Sequence, residues 1–268
     1  MSPAEGSGGG TVFVDGIAFW APTLPGWAQA RSAFRGDAAP LATPARRPAP
    51  ELLAAAERRR APDSVALALE VAAAAVREAG VSAEALPSVF TSTHGDLAIN
   101  DYMCSTLASA PTLISPTRFH NSVHNAAAGY WTIGTGCHAP STAISSYDAS
   151  FAQGLLEALV QLAAGAEAVL LSAYDGHAPG PLAAISRSSG LLGGALVLAR
   201  TPRPGMPRLR ATLVDAAAPS SQGPLVERLR GNAMAPMLPL FQALASGEDL
   251  VFLHAGPSRT LRVEIADA

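Results

Sequence analysis

The stretch from Ser145 to Asp175, SSYDASFAQGLLEALVQLAAGAEAVLLSAYD, constrains the fold of this chain more than any other. It closes an extended run (STAISSY), turns sharply, and continues as SFAQGLLEALVQLAAG with helical spacing of its apolar residues. After Gly165 comes AEAVLLSAYD, a continuous apolar run that reads as a buried strand. Strand, helix and strand, with both strands buried, predict an α/β protein with a parallel sheet covered by helices on both faces. The turn itself carries Tyr147, Asp148 and Ala149. Many enzymes mount a nucleophile on such a turn, at the mouth of a pocket. Here the turn mounts a carboxylate.

The rest of the chain supplies further layers. TVFVDGIAFWAP (11–22) alternates as a strand and exits into a Pro/Gly-rich loop that extends over 36–50. PELLAAAERRR reads as a short helix opened by Pro50, and PDSVALALEVAAAAVREAG as a largely buried helix stopped at Gly80. PSVFTST predicts a buried strand before the HGD loop, and NDYMCSTLASA and NSVHNAAAGYWTIGTG predict two more helices. GGALVLART and RLRATLVDA read as antiparallel neighbours, MLPLFQALASG as a helix, and EDLVFLHAG with TLRVEIADA as a closing hairpin. Residues 1–10, MSPAEGSGGG, read as a flexible leader without a signal pattern, and 11–268 as one domain.

Composition narrows the function classes. Arginine supplies all 18 basic residues, which excludes Schiff-base and lysine-nucleophile chemistry. A net charge of −3 gives nucleic acid no basic footprint. Charged residues make up only 15%, which suits a surface partly covered by another subunit. Two cysteines fit a reducing compartment, so the expected location is cytoplasmic. No apolar stretch reaches the ~18 residues of a membrane span.

Several residues invite chemical readings. His120 and His124 stand four apart, sharing one face if the segment is helical, but HNSVH lacks the glutamate of zinc-hydrolase helices. No metal is expected, and no cofactor. Cys137 adjoins His138, yet neighbours on an extended chain point to opposite sides, so a structural thiol is the reading for it and for Cys104. The glycines at 190, 193 and 194 run into a strand rather than a helix N-terminus and do not make a phosphate loop. Arg58, Arg59 and Arg60 would suit an acidic partner or, equally, a solvated helix end.

From Ile114 to Asp175 the sequence resembles the β-ketoacyl synthases of the thiolase superfamily. The likeness rests on Ile114, Ser115, Pro116, Asn125, Ala128, Gly129, Thr132, Ile133, Gly136, Pro140 and Ser141, in register without a gap. It continues through Gly165, Ala166, Glu167 and Ala168. The resemblance implies a thiolase-like layered fold, with helices on both faces of a mixed, largely parallel sheet, truncated relative to full ketosynthases. It sets Ser146, Tyr147 and Asp148 on the triplet that ends in the family's acylated cysteine. A carboxylate there would give a labile anhydride instead of a thioester. The later half carries His254 where an active ketosynthase uses two histidines as donors to the thioester enolate.

The phrase SPTRFHNSVHNAAAGYWTIGTG, with SFAQGLLEAL, is similar to the short ketosynthase-like subunits of aryl polyene, xanthomonadin-type pigment pathways. The resemblance implies a chain-length-factor-like subunit without catalytic residues of its own, pairing with an active β-ketoacyl synthase and meeting acyl carrier protein. Tyr147, Asp148 and Ala149 would form its pseudo-site. His120, Asn121, His124, Asn125 and Phe151 would lie at the interface or acyl tunnel. A small hydrolase or decarboxylase using Asp148 with His120 or His124 is the alternative, and a homodimeric scaffold a third.

Overall fold

The computed structural model describes residues 10–219 and 223–267, so nine of the ten leader residues lie outside the described part. Eight strands form a single sheet in the order β3-β2-β4-β5-β1-β6-β8-β7. They are β1 (Val12–Trp20), β2 (Ser88–Thr91), β3 (Ser141–Ile144), β4 (Ala168–Asp175), β5 (Leu192–Ala199), β6 (Pro207–Val214), β7 (Leu250–Gly256) and β8 (Arg259–Asp267). β2 pairs in parallel with β3 and β4, and β5 is antiparallel to both β4 and β1. In the β3-β2-β4-β5-β1 portion four strands therefore point one way and only β5 is reversed. β6, β8 and β7 extend the sheet as an antiparallel set. The expected mixed, layered α/β fold is what the chain adopts.

Helices cover both faces. α3 (Asp63–Ala79) presses its alanine- and leucine-rich surface on β1, β4 and β5, and α6 (Ala126–Thr135) packs beside it. This cluster contains Trp131, Phe90 and Tyr174. On the opposite face α1 (Trp27–Arg35), α7 (Ser150–Ala163) and α9 (Leu238–Ser246) enclose a second cluster around Phe241, whose ring meets Phe19, Trp27 and Phe151 edge-on or tilted. Gly194 in β5 is glycine because a side chain there would run into the Phe241 ring. Every helix and strand just named buries apolar area, and each fully buried large side chain contributes about 1.5–3 kcal/mol.

Four readings of the sequence change. The helix expected from Pro50 begins only at Ala55 (α2, Ala55–Arg60), because Leu53 N–H closes a turn on Pro50 and Arg58 reaches back to the Leu53 carbonyl. β5 and β6 are not neighbours, since β1 lies between them and pairs antiparallel with each. β3 is not buried: it is an edge strand and half-exposed. The segment after α4 (Leu97–Ser109) is split into α5 (Pro116–His120) and α6, as Asn121 and Asn125 take φ near −90° and ψ near 0° and interrupt the helix. His120 and His124 therefore do not share a helix face. The remaining helix, α8 (Pro224–Leu229), leads into α9 through a short 3-10 turn.

Candidate functional site

The turn from β3 to α7 is built by short hydroxyl-to-backbone bonds. Ser150 Oγ donates to the Tyr147 carbonyl at 2.6 Å and accepts from Ser146 N–H at 2.9 Å. Ser145 Oγ donates to the Thr93 carbonyl at 2.9 Å, and Thr93 Oγ1 to that of Tyr147 at 3.2 Å. These bonds hold Tyr147 at φ 52°, a left-handed conformation that a bulky residue adopts only at a cost of order 1–3 kcal/mol. Asp148 follows, its side chain 61% exposed, two residues before the start of α7.

The Asp148 carboxylate has one polar partner among the described residues. Its Oδ1 lies 3.2 Å from Nε2 of His254, which projects from β7. His254 is thus the histidine of the site, and sequence reading did not connect it with Asp148. In LVFLHAG buried and half-exposed residues alternate in the fold, with His254 on the half-exposed side, but the run is apolar around it and shows no such alternation in sequence. His120 and His124 lie elsewhere. His124 Nε2 is 2.8 Å from the Ser92 carbonyl, and the His120 ring packs on Tyr130 with centroids 6.1 Å apart.

Behind the turn is a buried carboxylate that sequence reading also missed. Asp175, the last residue of β4, is 1% exposed. It accepts hydrogen bonds from Ser92 Oγ at 2.7 Å and Thr93 N–H at 3.0 Å. Burial pushes its pKa above the ordinary carboxylate value, with these bonds pulling the other way. His94, whose ring meets Tyr147 edge-on at 6.2 Å, is held below the ordinary imidazole value by burial, opposed by the Asp175 charge. Asp175 shapes the loop on which Tyr147 leans.

The other predicted positions scatter. Asn125 and His120 line a groove of about 350 Å³ between α6 and residues 52–57. Asn121 is buried and lines a different cavity. Phe151 reaches no surface: it is 1% exposed and packs in the core against Phe241. Ala149 is buried beneath the turn, while Tyr147 is 59% exposed. Cys137 is buried with Sγ 3.5 Å from the Leu86 carbonyl, and Cys104 lies exposed on α4, so neither thiol belongs to the turn. No group of three or more metal-ligating side chains occurs among the described residues. No helix among them is long and apolar enough to cross a membrane.

Residues 27–258 match the model of the beta-ketoacyl synthase N-terminal domain. The chain belongs to that family. No curated protein matches it in sequence. This ketosynthase-family chain is similar to a chain in the complex of a ketosynthase with its chain length factor from Xenorhabdus doucetiae, at 24% identity and a TM-score of 0.74, over 95% of this chain and 99% of that one. It is also similar to a chain of a type II polyketide synthase acyl carrier protein in complex with its ketosynthase bound to the hexaketide, at 13% identity and a TM-score of 0.73, over 97% and 99%. A beta-ketoacyl synthase from Burkholderia phymatum matches at 14% identity and a TM-score of 0.60, over 90% of this chain and 71% of that one. These likenesses show a thiolase-like ketosynthase fold, in a chain shorter than a full ketosynthase.

Proposed function

We propose that this chain is a chain-length-factor-like partner of an active β-ketoacyl synthase, in aryl polyene or related polyketide-type chain elongation, and does no condensation itself. The reading is carried by the turn before α7, where the sequence resemblance sets Asp148 on the family's nucleophilic cysteine and the carboxylate lies 3.2 Å from His254. Condensation needs a thiolate and two enolate-facing donors. A carboxylate and one histidine replace them here. The coverage of the similar structures agrees with the reading: the chains matched within ketosynthase complexes are spanned almost end to end, whereas the Burkholderia phymatum beta-ketoacyl synthase is spanned to 71%.

The surface is suited to a partner. Ser88 N–H bonds the Pro140 carbonyl and Ser92 N–H that of Ile144, so alternate residues of β3 face β2. Ser141 and Ala143 then turn their backbone groups outward, ready to continue the sheet into a second subunit. α5, α6 and the turn between them expose large apolar side chains: Phe119 is 63% exposed, Val123 53% and Ile133 82%. Such residues left to water are the mark of an interface. The hydrolase or decarboxylase alternative loses the histidines it named, since His124 meets the Ser92 carbonyl and His120 packs on Tyr130.

Co-expression with an active β-ketoacyl synthase from the same source tests the proposal. The two chains should co-purify at equal stoichiometry, and acyl carrier protein thioesters should acylate the partner alone, as read by intact mass. Stoichiometric acylation of this chain would overturn it.

A further inference from the structure

A second cavity, of about 580 Å³, opens at the same end of the sheet as Asp148 but contains neither Asp148 nor His254. The two places share the loop after β2: Thr93 and His94 touch Tyr147, whereas Gly95 and Asp96 line the cavity. Arg46, Arg60 and Arg118 stand around it. None of the three forms an ion pair with a carboxylate among the described residues. Arg118 is positioned by stacking on the Tyr102 ring, 4.0 Å from its centroid.

The acidic residues of the wall are already engaged. Asp63 is bound by Arg47 at 3.2 Å. Asp96 accepts from Ile99 N–H at 2.9 Å and from Ser64 Oγ at 2.7 Å. Asp96 keeps its charge, yet in a chain whose net charge is −3 the three arginines still leave this opening with a positive surplus. A separate observation comes from Asn121, which is 3% exposed and also lines the cavity. Its Nδ2 donates to the Thr117 carbonyl, but its Oδ1 is buried without a hydrogen-bond partner among the described residues. Buried acceptors are normally met by protein, water or a ligand. Leu97, Ile99 and Leu191 add an apolar floor.

We propose that this cavity binds an amphipathic phosphate monoester, its head held by Arg46, Arg60 and Arg118 and its apolar portion lying on Leu97, Ile99 and Leu191. Guanidinium groups from three separate segments suit a head with three terminal oxygens, whereas a carboxylate is satisfied by a single bidentate arginine. Asn121 Oδ1 receives a hydroxyl or amide N–H of the ligand. The site does not depend on pairing with a ketosynthase.

Calorimetric titration of the full chain, alone or with the partner it co-purifies with, tests this with octyl phosphate, octanoate and inorganic phosphate as probes. Octyl phosphate should bind saturably and most tightly. Arg118→Gln should weaken it about tenfold, the scale of one lost charge-assisted contact, and Arg46→Gln with Arg60→Gln, which removes two, about a hundredfold. Ala98→Trp, at an exposed lining position, fills the opening without touching charge or core and should abolish binding. All these positions are exposed, so thermal melts should match the parent. Octanoate binding as tightly as octyl phosphate would overturn the phosphate assignment. Absence of saturable binding to the folded chain would overturn the site. So would binding that survives Ala98→Trp yet falls with the arginines, since that assigns them to an outer acidic partner.

Discussion

Asp148 is held far more loosely than a nucleophile would be, with its carboxylate 61% exposed and one imidazole as partner. Exposed pairs of this kind contribute less than about 1 kcal/mol. Asp148→Asn should therefore shift stability by less than about 1 kcal/mol in denaturant titration. In a reconstituted pathway it should leave complex formation intact and product yield within a few-fold of the parent. A collapse of elongation in an intact complex would give the carboxylate a chemical role. Asp175 should behave differently. Because burial raises its folded pKa above 3.8, the folded chain binds the proton more tightly than the unfolded one. Its contribution is then most favourable below that value and is lost as the pH rises through the folded pKa. Against Asp175→Asn, whose one amide oxygen can accept from Thr93 N–H or from Ser92 Oγ but not from both, the parent's melting temperature should lose ground as the pH climbs from acid. A flat difference curve would count against the buried charge. Local chemistry made Asp148 readable, since the Ser and Tyr beside it define the turn. His254 and Asp175 come from other strands, and no short-range pattern joins them to it.

At the scale of elements, helices were the most readable. The apolar content and glycine stop of 62–80 became α3 with Gly80 in the left-handed region, as expected of a helix end. Strand existence was readable too, but strand neighbours were not. β5 and β6 follow each other in sequence and look like a hairpin, yet β1 inserts between them, a choice made by packing against α3. Gly16 shows how tight that packing is. It sits at a bulge in β1, and a Cβ there would collide with the Ala75 carbonyl of α3. Backbone on both sides leaves little room to yield. Gly16→Ala should cost about 1–3 kcal/mol, the usual range for overpacking. A denaturant midpoint equal to the parent's would show that α3 can move away. The helix 121–136 failed as a reading because its two asparagines look tolerable in a helix but favour the bridge conformation here.

For the whole molecule, the outer edge of β3 and the apolar α5–α6 surface are where the proposed partner would be felt. Ala143→Pro removes an N–H that faces away from β2, so the chain's own sheet keeps its bonds. The variant should fold as stably as the parent while its co-purification with the ketosynthase drops about tenfold or more, a loss matching one or two interface hydrogen bonds. Equal recovery of the complex would mean that the sheet does not continue across subunits. The placement of β1 has a consequence of another kind. It leaves the ribosome long before either of its neighbours, β5 and β6, which begin only at Leu192 and Pro207. At cellular rates of translation the strand waits on the order of ten to thirty seconds for them. A nascent chain halted at residue 190 should therefore be digested throughout by protease, while one released at full length acquires resistance cooperatively. About 170 residues must leave the ribosome after β1 before its first partner strand starts to emerge.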